Sequence, residues 1–313
     1  MDKISIVVPC YNEELSLPFF YDEITRIASI MEKDAEFEFI FVNDGSKDKT
    51  VEVLRKLNKQ DERVKYISFS RNFGKEAAMY AGFRETSGNL VVVMDADLQH
   101  PPKFIPEMYE GIKNEGYDCV ATRRVKRLGE PKIRSFFAMR FYDIINSMSE
   151  TNIVPGACDY RMMTRKMVDA VLEMCEVNRF SKGIFSWVGF ETKWIPFENV
   201  ARVAGETKWS FKKLFSYSLD GITAFTTTPL QISSLFGIIC CVLSFIFGIV
   251  TVFKTLVFGE SVAGFPTLMC VILLIGGLQF LMIGILGQYL SKMYVETKKR
   301  PIYIVKETEK DNI

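Results

Sequence analysis

Two stretches near the C-terminus restrict what this chain can fold into more than any other feature. Ile232 to Phe253 (ISSLFGIICCVLSFIFGIVTVF) runs 22 residues without a charge, and Phe265 to Leu290 (FPTLMCVILLIGGLQFLMIGILGQYL) runs 26 more. As a helix the first reaches about 33 Å, against a hydrocarbon core about 30 Å thick. Helices of a soluble core seldom run so far without a charged residue, so both stretches are expected to span a membrane. Lys212 and Lys213 precede the first stretch, and Lys292, Lys298, Lys299 and Arg300 follow the second, whereas the connecting loop 254–264 holds only Lys254 and Glu260. The positive-inside rule then predicts a transmembrane hairpin over 230–291, with both flanks in the cytoplasm and the short loop outside. The tail 292–313 is expected in the cytoplasm.

Ahead of the hairpin, WSFKKLFSYSLDGITAF (209–225) places Phe211, Leu214, Phe215, Ser218 and Leu219 on one side with lysines beside them. Such a segment suits a juxtamembrane amphipathic helix over 209–229 lying in the interface, or a helix docked on the soluble part. Gln279 and Gln288 in the second span can hydrogen-bond between helices of a homo-oligomer or within one hairpin.

The front of the chain follows another rule. Apolar strand-like runs at 4–8, 37–42, 64–69, 90–94 and 118–122 alternate with helical stretches ending near 31, 59, 86 and 114. That alternation predicts a mostly parallel α/β sheet with helices on both faces. Ligands of such sheets bind beyond the carboxyl ends of the strands, near the point where strand order reverses. The polar residues there are Tyr11, Asn12 and Glu13, then Asp44, Gly45 and Ser46, then Arg71 and Asn72, and finally Asp95, Asp97 and Gln99. Lys plus Arg (39) nearly cancels Asp plus Glu (38), which argues against a nucleic-acid binder. Seven cysteines without C-x-x-C spacing predict free thiols rather than disulfides or a zinc site.

The stretch VVVMDADLQHPP (91–102) carries the chemistry. If strand geometry persists past Val93, Asp95 and Asp97 share a face and repel unless a cation sits between them. Mg²⁺ or Mn²⁺ takes a few carboxylate and amide oxygens plus substrate phosphates, making Asp97 and Gln99 candidate ligands and Asp95 a close companion. The alternative is an ordinary acidic turn before Pro101 and Pro102. His100, the only histidine, makes no metal cluster and is expected in a hydrogen-bonded loop role. Further on, RRVKRLGEPKIR (123–134) supplies Arg123, Arg124, Lys126, Arg127, Lys132 and Arg134, six cations in twelve residues. They suit a lipid phosphate at a membrane surface, or form a solvated basic loop.

PCYNEE (9–14), NDGSKDKT (43–50), SRNFGKEAAMYAGF (70–83) and MDADLQHPP (94–102) follow predicted strands in this order. With GACDYRMM, KGIFSWVGFE, RVAGETKWS and the two terminal spans, the chain resembles the family 2 glycosyltransferases of GT-A fold. The likeness is to the polyprenyl-phosphate branch, which includes dolichol-phosphate mannosyltransferases and bactoprenol glucosyltransferases, and it covers nearly the whole chain. The resemblance implies a cytoplasmic GT-A (Rossmann-like) domain over 1–208. It implies a nucleotide pocket of Pro9, Tyr11, Glu13 and Asp44, with Asp44 on the base or ribose and Lys75 near the same pocket. Asp95, Asp97 and Gln99 match the metal and diphosphate site. Asp159 matches the acid of the reaction centre, and Arg202 with Lys208 the pair that contacts phosphates. Cys10 and CDYR stand where the family often has a small residue and GDFR, which keeps the acid and the arginine.

The expectation is therefore an inverting, metal-dependent transferase that moves one hexose from a UDP-sugar to undecaprenyl or a similar polyprenyl phosphate. Glucose, N-acetylglucosamine and galactose are all open, and the location is the cytoplasmic (inner) membrane. A processive polysaccharide synthase would carry Q-x-x-R-W and usually more spans, neither of which the sequence contains. A silent membrane scaffold that only binds a nucleotide sugar is the alternative of another class.

Overall fold

The computed structural model describes residues 1–126, 146, 154–198, 223, 226–258 and 264–312. The juxtamembrane helix expected over 209–229 lies outside the described residues, apart from Thr223 and residues 226–229. The chain divides into two compact units, one of residues 1–221 with 300–313 and one of residues 222–299.

The first unit is built on one sheet of eight strands in the order β7-β5-β6-β4-β1-β2-β3-β8. Strands β1 (Asp2–Cys10), β2 (Ala35–Asn43), β3 (Val64–Phe69) and β4 (Leu90–Val93) are the predicted parallel set. Their runs of Ile, Val and Phe are buried on both faces, as a sheet sandwiched between helices requires. Helices α1 (Leu17–Ile30), α2 (Thr50–Gln60), α3 (Lys75–Glu85) and α4 (Ile105–Lys113) connect them and continue to β5 (Cys119–Lys126). In α3, every residue from Ala77 to Phe83 is buried. Strands β2 and β3 lie on one side of β1 and β4 on the other, so the order reverses between β1 and β4.

Beyond β4 the pairing changes. β6 (Ala157–Thr164) runs antiparallel to both β4 and β5, and β7 (Thr192–Glu198) runs parallel to β5. Helices α5 (Arg165–Glu173) and α6 (Ser181–Trp187) lie between β6 and β7 in the chain. At the opposite edge β8 (Val305–Thr308), from the C-terminal tail, pairs antiparallel with β3. The six cysteines described in full are free thiols.

The second unit holds α7 (Thr228–Phe258) and α8 (Phe265–Thr297), of 31 and 33 residues. Tyr289 donates its hydroxyl to the carbonyl of Thr226 at 2.7 Å, tying late α8 to the start of α7. Phe245, Phe247 and Phe280 are 72%, 72% and 76% exposed, a surface that water would not tolerate as a continuous belt. Both helices are long and apolar enough to cross a membrane. Gln279 and Gln288 are exposed, and their side-chain amides hydrogen-bond to no described residue.

Candidate active site

The site gathers where the strand order reverses, and sheet register explains its centre. β4 and β6 pair antiparallel with Val93 opposite Arg161. Asp95 follows Val93 by two residues and Asp159 precedes Arg161 by two, so both lie beyond the last pair of that register and on the same side of it. Their carboxylates converge on one ammonium: Lys75 Nζ lies 2.6 Å from Asp95 Oδ1 and 2.7 Å from Asp159 Oδ2. Lys75 is placed there by Gly74, which precedes α3 with φ of 100°. Burial disfavours its charge, yet the two carboxylates hold its pKa well above the ordinary lysine range. Asp159 shows the converse: burial pushes its carboxyl up, but Lys75, Lys182 and Arg161 hold it well below the usual range. The side chains of Lys75, Asp95 and Asp159 remain 38%, 28% and 20% exposed, so a ligand can reach them.

The strand geometry does not persist past Val93, which corrects the basis on which Asp95 and Asp97 were expected to share a face. Residues 96 and 97 form a turn, and Leu98 adopts a positive φ of 57°. Asp97 Oδ1 there accepts from the backbone N–H of Gln99 at 3.1 Å. Among the described residues no three His, Cys, Asp or Glu side chains converge closely enough to hold a metal by themselves. The donors are nonetheless the hard oxygens of two carboxylates and an amide, which fit Mg²⁺ or Mn²⁺ bound chiefly through diphosphate and water.

On the parallel side the loops interlock. Asn12 donates its backbone N–H to Ser46 Oγ at 2.9 Å and accepts from the N–H of Lys47 at 2.8 Å. Glu13 donates its N–H to Thr50 Oγ1, and its carboxylate accepts from Ser16 Oγ at 2.6 Å. Tyr11 is half-buried beside them, and Pro9 lies in β1 opposite Val42. Asp44 is buried and accepts from the N–H groups of Phe73, at 2.6 Å, and Gly74, at 3.0 Å to the nearer oxygen. Burial pushes its carboxyl up to about 6, against the pull of those two N–H groups. Gly45 has φ of +63°, and a Cβ on it would stand 2.3 Å from the carbonyl carbon of Arg71. Glycine is thus required for the loops after β2 and β3 to touch.

On the antiparallel side a cavity of about 200 Å³ is lined by His100, Arg124, Gly156, Ala157, Cys158, Asp159 and Lys182. Arg124 reaches it from β5, whereas its neighbour Arg123 is exposed. His100 departs from the hydrogen-bonded role expected of it. Its ring is buried between Tyr160 and Phe197, with centroids at 5.9 and 5.4 Å, and neither nitrogen has a hydrogen-bond partner among the described residues. Its Nδ1 lies 3.9 Å from Asp95 Oδ2, and burial lowers its pKa. Arg127, Lys132, Arg134, Arg202 and Lys208 lie outside the described residues, as does any contact they make with this cavity.

Two further residues complete the site: Glu76, which carries no local sequence signal, and Arg161, the arginine of CDYR. Glu76 accepts from both the backbone N–H (3.0 Å) and the hydroxyl of Ser181, fastening α6 to α3. Burial, then the charge of Asp159, pushes its carboxyl up to about 7. Arg161 donates to the carbonyls of Cys158 (2.9 Å) and Asp159 (3.3 Å), with its guanidinium 3.8 Å from the Phe185 ring centroid. It fixes the backbone that carries Asp159.

This arrangement can hold an anion-bearing leaving group near Asp95 and Asp97 and a second anion near Arg124 and Lys182, with Asp159 between. Comparison with known proteins agrees on the class. Residues 5–172 match the model of glycosyl transferase family 2. The chain is 43% identical to the putative glycosyltransferase CsbB of Bacillus subtilis (strain 168), covering 99% of this chain and 93% of that protein. It is 40% identical to a prophage bactoprenol glucosyl transferase homolog of Escherichia coli K12, covering 98% and 100%. It is 39% identical to the bactoprenol glucosyl transferase of Shigella phage SfII, covering 99% of each. Among solved structures, the mannosyltransferase PcManGT of Pyrobaculum calidifontis, in complex with GDP-Man and Mn²⁺, superposes with a TM-score of 0.50. That match has 18% identity and covers 71% of this chain and 63% of that one, so the likeness is one of fold. With the sheet, its strand-end motifs and nearly full-length relatives in agreement, the chain belongs to glycosyl transferase family 2.

Proposed function

We propose that this protein transfers a single hexose from a UDP-sugar to undecaprenyl or a similar polyprenyl phosphate, at the cytoplasmic face of the membrane and with inversion at the anomeric carbon. The observation that carries the proposal is the meeting of Asp95 and Asp159 on Lys75 Nζ, beside a cavity that presents Arg124 and Lys182. Relatives named bactoprenol glucosyl transferases support a polyprenyl phosphate as acceptor.

The acceptor chemistry sets what the residues must do. A phosphate monoester has a second pKa of about 6 and is largely ionised at neutral pH, so it needs placement rather than deprotonation. Asp159, held well below the ordinary carboxylate range, is a weak base and suits an orienting role. Lys75 keeps the two acids together without consuming either as a proton donor. Pro9, Tyr11, Glu13 and Asp44 line the nucleotide side, and Arg202 with Lys208 are assigned to the phosphates. Arg123, Arg127, Lys132 and Arg134 are assigned to the acceptor's lipid phosphate. A Mg²⁺ or Mn²⁺ ion held by Asp95, Asp97 and Gln99 would neutralise charge gathering on the departing UDP. One displacement inverts the sugar.

Chain topology supports the membrane arrangement. The sheet takes strands from before α7 and, in β8, from after α8. A chain that crosses a bilayer twice returns to its starting side, so two spans fit that connectivity. Self-association through the exposed Gln279 and Gln288 is part of the same proposal.

The test supplies full-length protein in detergent micelles with undecaprenyl phosphate, Mg²⁺ or Mn²⁺ and a panel of UDP- and GDP-sugars. A glycolipid of inverted configuration from one UDP-sugar is expected, and absence of product from every donor removes the proposal. Asp97→Ala is expected to abolish turnover while leaving the circular dichroism spectrum unchanged.

A further inference from the structure

Several polar groups around the cavity of about 200 Å³ have no partner among the described residues. Both ring nitrogens of His100, a residue only 7% exposed, lack a hydrogen bond to any described residue, and so does the buried Nε of Arg124. Native structures rarely bury such groups unless a ligand or water completes them. Lys182, one residue past the serine that Glu76 fastens, forms no hydrogen bond or ion pair through its ammonium with any described residue. Its charge nevertheless reaches the cavity, where it acts on both Asp159 and Cys158.

All three groups offer N–H donors. The carboxylate in the wall, Asp159, is already paired with Lys75 at 2.7 Å, so Lys182 keeps its charge for something else. Burial pushes the Cys158 thiol up, which keeps it uncharged and leaves no thiolate to compete. The backbone is shaped to match. Gly156 has φ of +79°, and a Cβ there would stand 2.5 Å from the carbonyl oxygen of Arg124, so only glycine lets this turn close against β5. The N–H of Arg124 then donates to the carbonyl of Gly156 at 2.9 Å, holding the arginine at the wall. Pockets for whole ligands run to about 300–1,000 Å³, so this cavity suits one small anionic head group rather than a nucleotide sugar.

We propose that Lys182, with Arg124 and a ring N–H of His100, forms the seat of the acceptor's phosphate monoester, holding it beside Asp159. The proposal deepens the reading of the chain as a polyprenyl-phosphate transferase and rests on it. It assigns a role to Lys182, which lies some fifty residues from the basic run, and to His100. The donor's diphosphate shares the same oxygen chemistry, and the experiment separates the two.

Full-length protein in detergent micelles is titrated by calorimetry with farnesyl phosphate, farnesol and UDP. Farnesyl phosphate binds the wild type at least tenfold more tightly than farnesol. Lys182→Gln weakens farnesyl phosphate by about tenfold or more, the loss of one charged hydrogen bond, and leaves UDP affinity within twofold. Lys182→Arg recovers most of the affinity. The proposal is overturned if Lys182→Gln binds farnesyl phosphate as the wild type does, if UDP affinity falls in its place, or if farnesol binds as well as its phosphate. Turnover is scored separately, which keeps the two readings distinguishable. A Lys182-dependent phosphate affinity without sugar transfer removes the enzymatic reading and upholds the seat. Transfer whose acceptor KM ignores Lys182→Gln does the reverse.

Discussion

The two sides of the sheet treat their polar groups differently. On the parallel side, strand-end residues satisfy one another: Asp44 takes two backbone N–H groups, Asn12 bonds both Ser46 and Lys47, and Glu13 holds Ser16. On the antiparallel side, His100, Arg124 Nε and the Lys182 ammonium face a cavity without partners among the described residues. The side proposed for the nucleotide is therefore built before its ligand arrives, whereas the side proposed for the acceptor leaves donors for its ligand to complete. Lys75 is the seam between them, with one carboxylate from the end of β4 and one from β6.

Breaking the seam should have the largest effect. In Lys75→Met the carboxylates of Asp95 and Asp159 lose the cation between them. Removing a preorganised charge from a sheltered site typically lowers turnover by about 10²–10³-fold. Asp159 also loses the first of the cations that hold its carboxyl down. The acid limb of the pH–rate profile is therefore expected to move to higher pH, and rates measured between pH 5 and 9 check both effects. An unchanged rate would mean that the two sides work without their link.

The comparison sharpens at Asp44. Asn can still accept from Phe73 and Gly74 but lacks the charge, so Asp44→Asn should keep the fold and weaken UDP by about tenfold, the cost of one charge-assisted hydrogen bond. Farnesyl phosphate affinity should not move, because that ligand belongs to the other side. Calorimetry on the two ligands decides it, and equal losses on both would dissolve the distinction drawn between the sides.

What the sequence made legible follows the same division. β1 to β4 are apolar runs punctuated by turn residues, and their polar strand ends could be named in advance because parallel sheets bind ligands there. β6 is harder to see. ACDYRMMT sets Asp159 and Arg161 two apart in a buried strand, and local pattern cannot reveal that Lys75 and Phe185 accommodate those charges. α5 did carry a readable signal, since Met167, Val168 and Val171 are spaced as one helical face. β8 carried almost none, because VKET is short and polar and becomes a strand only through the free edge of β3. Glu76 and Lys182 look like surface residues of helix starts. Their roles come from Ser181 and the cavity, which are far from them in sequence or visible only after folding.

A smaller effect concerns stability. The carboxyl of Glu76 is raised from 4.5 to about 7, so the folded protein binds its proton more tightly than the unfolded chain. That contribution is complete below pH about 4.5 and is lost as pH rises through about 7. Asp44, raised from 3.8 to about 6, has the same sign. Glu76→Gln removes the first loss while keeping an oxygen for Ser181. The unfolding free energy of the variant should gain on the wild type between pH 5 and pH 8 by at most about 3 kcal/mol, and thermal midpoints across that range follow the gain. Parallel midpoints across that range would show that Glu76 is not buried as an acid.

The smallest effect tests how far the built character of the nucleotide side extends. Tyr303, ahead of β8, stacks on Phe69 with ring centroids 4.9 Å apart, and Phe69 meets Phe73 edge-on at 5.7 Å. The N–H of Ser70 donates to the carbonyl of Ile304 at 3.0 Å. The C-terminal tail thus braces the loop whose N–H groups hold Asp44, and the strand behind it adds a bidentate Arg55–Glu307 pair. An aromatic pair contributes about 0.5–1.5 kcal/mol beyond its burial, so Tyr303→Ala should weaken UDP by about two- to tenfold. The half-exposed ion pair contributes about 1 kcal/mol, so Glu307→Gln should change UDP affinity by no more than a few-fold. Neither variant should alter farnesyl phosphate affinity. Loss on the acceptor side alone would mean that the tail braces the wrong half of the sheet for this account, since its contacts with Phe69, Ser70 and Arg55 all lie on the β2–β3 flank.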